Sequence, residues 1–313
     1  MMARFQKKYK LGYAYDRVYY AWDSVLNCDV ALKRYRVEKK DEGIPPKAMK
    51  EMSILKSLSH PNVIRYAVLM PQQYAVLTIS IRRLLDVDRN EAFNDSSFVL
   101  VMPYTRRSLR KILDDSVLSV NEVRSYVTQI LSAVAYIHAN GIIHGSLISN
   151  HILVGQNGQI EIIDFEFSYS SRYKRRSDRD PYMGLLWVQP PEVILDCDSC
   201  SIAVDVWSVG CIMYDMLHNR PVFPASKGRE LVQMQFELMG TPTEATWPGI
   251  SRYPLYRSLP VTPPQPWITD KFSMIGKEGQ DLIGKLLTLN PRHRITAKRA
   301  LDHPYVSSAE EHR

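Results

Sequence analysis

The apolar residues of this 313-residue chain change their spacing near residue 104, and that change restricts the fold more than any other feature. Before it, Val18–Ala21, Val30–Tyr35 and Phe98–Met102 are short runs rich in β-branched and aromatic residues, and they read as strands. Asp23–Asp29 reads as a turn, and residues 71–97 as strand material followed by a polar loop. One helix interrupts the strands. It begins at Pro46, a residue favoured in a first helical turn, and carries Ala48, Met52, Leu55 and Leu58 on one face until His60-Pro61 stops it. After residue 104 the spacing becomes helical, in Asn121–Ala139, Asp205–Leu217, Gly279–Leu289 and Thr296–Asp302. Ile152–Val154 and Ile160–Ile163 read as short strands around a Gly155–Gly158 turn, residues 168–184 carry no pattern, and Pro260–Trp267 reads as a loop. The expectation is an α+β chain, with a small β-rich lobe holding one helix and then a larger α-helical lobe.

Composition narrows the function classes. A hydrophobic content of 45% is enough for a large core and argues against disorder. A net charge of +7 is modest and mixed in sign, so a nucleic-acid partner is not expected. The start, MMARFQKKYK, has no apolar stretch of the kind that secretory signals carry, and the apolar run Ala203–Cys211 is broken by Asp205 and Ser208. Four cysteines suit a reducing compartment, so an intracellular place, cytoplasm or nucleus, is expected. Cys197 and Cys200 form a CxxC pair with no second pair nearby, which reads as two incidental thiols more readily than as a redox or zinc site.

Several landmarks then occur in one order. Lys33 sits in Ala31-Leu32-Lys33 on a strand, Glu51 on the following helix, His144 at the head of HGSLISNHIL, and Asp164 at the head of DFE. Glu192 follows in PPE and Asp205 in DVWSVG. This series resembles the protein-kinase signature set. EGIPPKAMKE, FPASKGRELVQMQFELMGTPTEATWPG and LNPRHRITAKRALDHPY are similar to stretches of the cyclin-dependent kinase group. The resemblance implies one bilobal kinase-like domain, with an N-lobe over 9–103, a C-lobe over 104–306, and an insert at about 221–270.

By that resemblance, Lys33 is the lysine that holds the α- and β-phosphates of ATP and Glu51 its helix partner, although the pair could serve only to fix the helix. Asp164 matches the Mg2+-ligating aspartate, or serves in hydrogen bonding alone. Gly12 is the remaining phosphate-loop glycine. Val18, Ala31, Leu153 and Met102 match the residues around an adenine ring, or form ordinary core. Glu192 and Arg294 resemble a buried architectural ion pair, and Asp205 the anchor of the catalytic-loop backbone.

The departures are as informative. The pattern HRDLKPxN stands here as residues 144–151, with Ser146 at the catalytic aspartate, Ile148 at the loop lysine and His151 at the second Mg2+ ligand. A serine hydroxyl is a poor base near neutral pH, and losing a positioned base costs about 10²–10⁴ in rate. Isoleucine offers a phosphate nothing, and imidazole suits softer metals than magnesium. Glu166 replaces the glycine of DFG, and Arg17 ends a phosphate loop that keeps only its first glycine. Asp180 falls at the activating-phosphate position, but of the three arginines that would hold it one is Gly145, one is Tyr169 or a near neighbour, and only Lys50 keeps a cation, while Arg175 and Arg176 make the segment basic.

The resemblance also implies a cyclin or cyclin-like partner on Pro45, Lys47, Met49 and Lys50. The expected function is a catalytically inactive kinase-like protein, a scaffold or allosteric regulator, with ATP weakly bound or absent and Mg2+ weakly bound or not bound. The alternatives are a weak serine/threonine kinase using Asp164 or Glu166 as substitute base, and a structural component that binds neither nucleotide nor cyclin.

Overall fold

A computed structural model describes residues 5–10, 18–24, 27–36, 44–64, 97–104, 107–171, 186–196 and 201–307. The chain divides into two compact units, residues 1–59 with 64–107, and residues 60–63 with 108–313.

The described residues of the first unit form a four-stranded antiparallel sheet in the order β1 (Phe5–Lys10), β2 (Val18–Asp23), β3 (Cys28–Arg36) and β4 (Ser97–Pro103), with one described helix, α1 (Pro46–Ser57). The β2–β3 turn is tighter than the sequence suggests, because both strands run into Asp23–Asp29. β4 ends at Pro103, which lies opposite Val30, and a proline is tolerated at a strand end where no further ladder bond is needed. Strand alternation sorts the side chains of β3. Val30 and Leu32 join Ala21 in one buried cluster, whereas Tyr35 joins Leu100 and Ala48 of α1 in another. Lys33, between them at even spacing from Tyr35, therefore shares the α1 face. α1 starts on Pro45-Pro46 without a side-chain cap and buries Ala48, Glu51 and Leu55.

In the second unit, β5 (Arg107–Ser108), β7 (Ile152–Val154) and β8 (Ile160–Ile162) form a three-stranded sheet, and β6 (Ile142–Ile143) pairs with β9 (Tyr169–Ser170). β9 lies in a stretch with no sequence pattern, since two residues are too few to show a period. Among the helices, α2 (Leu109–Asp115), α4 (Pro191–Ile194) and α6 (Gly228–Met239) were not anticipated from spacing. α3 (Val120–Ala139) begins on a capping box, with the Glu122 N–H donating to Ser119 Oγ at 3.3 Å and the Ser119 N–H to Glu122 Oε2 at 2.8 Å. It ends at Asn140, followed by Gly141 in the left-handed region at φ 72°. α5 (Ala203–His218) packs against α3 and is buried on nearly every side, as expected of a helix apolar all round. Within the stretch read as an insert, Val232 and Phe236 of α6 pack with Trp247, Ile250 and Leu259. Trp267 begins a helix rather than closing a loop, and the helix expected to reach Leu289 stops at Leu286. Among the described residues, no helix is long and apolar enough to cross a membrane.

Candidate functional site

In the first unit, β3 and α1 bring together Lys33, Glu51 and Tyr35. Lys33 Nζ donates to Glu51 Oε2 at 2.7 Å, and the Tyr35 hydroxyl donates to the same oxygen. Lys33 Nζ also stands 5.4 Å from the Tyr35 ring centre. Lys33 and Glu51 are 4% and 1% exposed, so the charge pair is desolvated and depends on these donors. Tyr35 escaped notice in the sequence, although its place two residues after Lys33 on a strand puts both on one face. Ala31 is buried opposite Met102, and Val18 is half-buried opposite Lys33. On α1, Met49 is 49% exposed, Lys47 and Lys50 are exposed, and Pro45 is half-buried ahead of the first turn.

In the second unit, residues 144–151 form a loop held from below by Asp205 at the start of α5. Its carboxylate accepts the His144 N–H at 2.9 Å, the Gly145 N–H at 2.9 Å and His138 Nε2–H at 2.8 Å. Burial pushes the Asp205 carboxyl up, but the hydrogen bond and charge of His138, with His144 and the Gly145 N–H, outweigh it and hold the group below its ordinary range. Gly145 has φ 75°, and a Cβ there would come 3.1 Å from Phe167 O and from the Tyr169 ring. A larger residue would meet both strain and a filled space. Tyr169 thus packs over the position that carries arginine in the resembled pattern, a contact invisible in sequence.

The loop side chains are committed inward. Ile148 is 3% exposed, and the Ser146 hydroxyl is buried with no hydrogen-bond partner among the described residues. Neither neighbouring imidazole reaches that hydroxyl. His144 Nδ1 accepts the Ser146 N–H at 3.3 Å while Nε2–H donates to Ile163 O at 3.0 Å. Burial pushes the His144 imidazole below its usual range, consistent with this neutral form. His151 Nδ1 stands 2.7 Å from Ser146 O, and its Nε2 stands 3.1 Å from Asp164 Oδ2. Asp164 follows β8 with φ 67°, a left-handed conformation that short polar residues tolerate. Glu166 is buried in the turn after Phe165. Leu153 is half-buried on β7, opposite Glu161.

Magnesium is usually held by one or two carboxylates together with substrate phosphates, and Asp164 is the carboxylate at that position here. An imidazole nitrogen faces Asp164, and among the described residues no group of three or more His, Cys, Asp or Glu is placed to hold an ion. Lower in the unit, Arg294 forms a two-pronged bond to Glu192, at 2.6 and 2.9 Å, and adds bonds to Ala203 O and Thr288 O. Gly12, Arg17, Arg175, Arg176, Asp180 and the Cys197–Cys200 pair lie outside the described residues.

A small β-rich lobe with one described helix and a larger helical lobe constitute the bilobal α+β kinase fold. The protein kinase domain family matches residues 5–306, and the chain belongs to that family.

Proposed function

We propose that this family member is catalytically inactive and works as a protein-binding scaffold or allosteric regulator, with a cyclin-like protein docking on α1. The observation that carries the reading is the environment of Ser146. The resembled pattern places the catalytic base there, and among the described residues no group is hydrogen-bonded to the Ser146 hydroxyl to activate it. Ile148, buried at the position of the phosphate-contacting lysine, points the same way. ATP, if held, would rest chiefly on Lys33.

One observation favours a second reading, a weak serine/threonine kinase: the Lys33–Glu51 pair is made. The test is transfer of labelled phosphate from ATP to a mixed peptide library. The wild type should give none, and a Ser146→Asp, Ile148→Lys, His151→Asn triple variant should gain it. Transfer by the pure wild type, abolished by Lys33→Met, would establish the second reading instead.

A further inference from the structure

We infer that the proline-rich strap over residues 260–266 is a docking segment for a protein that carries an aromatic-lined, proline-reading groove of the SH3 type. The strap lies in the larger unit, apart from the kinase signature positions, and the inference holds whether or not the chain transfers phosphate.

The residues dictate the shape. PVTPPQP has proline at four of its seven positions. Each proline fixes its φ at about −65°, and Thr262, Pro263 and Gln265, each ahead of a proline, are pressed into extended backbone. Such a run winds as a polyproline helix with three residues to the turn, so positions three apart share an edge. The contacts keep that period. The Thr262 N–H donates to Thr241 Oγ1 and the Thr262 hydroxyl to Phe236 O, each at 2.9 Å. Three residues on, the Gln265 N–H donates to Leu238 O at 3.3 Å, so this edge is tied to the end of α6. On a second edge Pro264 lies over Gly240, where a Cβ would come within 2.9 Å of the proline nitrogen, while Val261 is 84% exposed. Pro260, Pro263 and Pro266 fall on the third edge, and all three are exposed. Leu259 and Trp267, at 8% and 6% exposure, pin the two ends.

A partner therefore meets prolines at a spacing of three on a backbone already held in place, and that preorganisation lowers the cost of binding. Among the described residues, the carbonyls of Val261, Pro263 and Pro264 accept no hydrogen bond. Proline has no N–H to offer, so strand pairing is a poor way to bind this segment. Aromatic rings that grip the prolines and donate to the carbonyls suit it, which is how SH3-type grooves read a PxxP segment. Among the described residues Tyr9 and Trp187 are the exposed aromatics, one in each unit, so a second copy of the chain offers no row of exposed rings for this purpose.

The test titrates the full chain into a panel of purified SH3 and WW domains, each shown to bind a control proline peptide, and follows binding by fluorescence anisotropy. At least one SH3 domain should bind in the micromolar range. A Pro263→Ala, Pro266→Ala double variant should melt close to the wild type and lose about tenfold or more in affinity, as expected when residues that fill central pockets are truncated. Undiminished binding by that variant would overturn the inference. So would binding by WW domains alone, or by no domain of the panel. Self-association of the wild type that the double variant abolishes, with no domain bound, would make the strap a contact between copies and overturn it as well. If the double variant fails to fold, the wild type decides: a free PxxP peptide should displace the chain from the SH3 domain, and a complex that survives the peptide overturns the inference. None of these readouts uses phosphate transfer or the α1 surface, so a wild type that transfers phosphate would sink only the proposed inactivity.

Discussion

Glu192 and Arg294 stand 102 positions apart in the chain, and their side chains meet with 1% and 0% exposure. At that burial, removing one partner strands the other charge in a low-dielectric interior. Glu192→Ala should therefore lower unfolding free energy by about 3–5 kcal/mol in urea denaturation. The same pair of charge types at Lys111–Asp115 is 59% and 45% exposed, and such pairs contribute roughly 0–1 kcal/mol. A Glu192→Ala variant as stable as the wild type would mean that the other Arg294 contacts, to three backbone carbonyls and the Trp207 ring, suffice. The sequence showed both residues through the resemblance. That Arg294 also satisfies three carbonyls from two separate segments could not be read there, since backbone acceptors leave no trace in residue type.

At the scale of the element, α1 is a helix with one weak end and one strong attachment. It lacks a side-chain N-cap and an acidic residue in its first turn, so its placement depends on the buried face. Glu51 is the polar member of that face, and it receives Tyr35 as well as Lys33. A hydrogen bond to a charged group contributes about 1.5–3 kcal/mol. Tyr35→Phe keeps the ring packing and removes that bond alone. Amides of α1 near Glu51 should then exchange roughly ten- to a hundredfold faster in hydrogen–deuterium exchange, if local opening carries the loss. Unchanged exchange would assign the attachment to Lys33 and the Ala48–Leu55 packing. The contrast with β9 is instructive. α1 was legible because twelve residues span several turns of one period, whereas β9 exists only because Ile142 and Ile143 lie alongside it.

For the whole molecule, pH acts through imidazoles that folding keeps neutral. Burial pushes His60, His144 and His218 below their ordinary value of 6.5. The unfolded chain then binds more protons than the folded one as pH falls through that value, so stability falls with it. Their contribution is complete above about pH 7 and shrinks on acidification. Asp205, held low against burial by its hydrogen bond to His138 and by the backbone N–H groups of His144 and Gly145, adds a second loss at more acid pH, below the unfolded carboxylate range. Melting temperature should be flat from pH 7 to 8 and decline from pH 7 to 5. A rise over that lower interval would contradict the neutral assignment, and His144→Gln should lessen the decline if that ring is a main source.

The sequence alone determined the division into a β-rich part and a helical part, because apolar period reports which faces meet a core, and that information is local. It also determined which chemical types occupy the landmark positions, Lys33, Glu51, Ser146, Ile148, His151 and Asp164. Only tertiary structure decided what those side chains touch. Tyr35 shares Glu51 because strand alternation aims it at α1, Tyr169 fills the space over Gly145 because β9 pairs with β6, and His151 meets Asp164 because Ile163 bonds back to His151 O. These contacts arise from register and packing between segments, and no single segment encodes where its neighbour will lie.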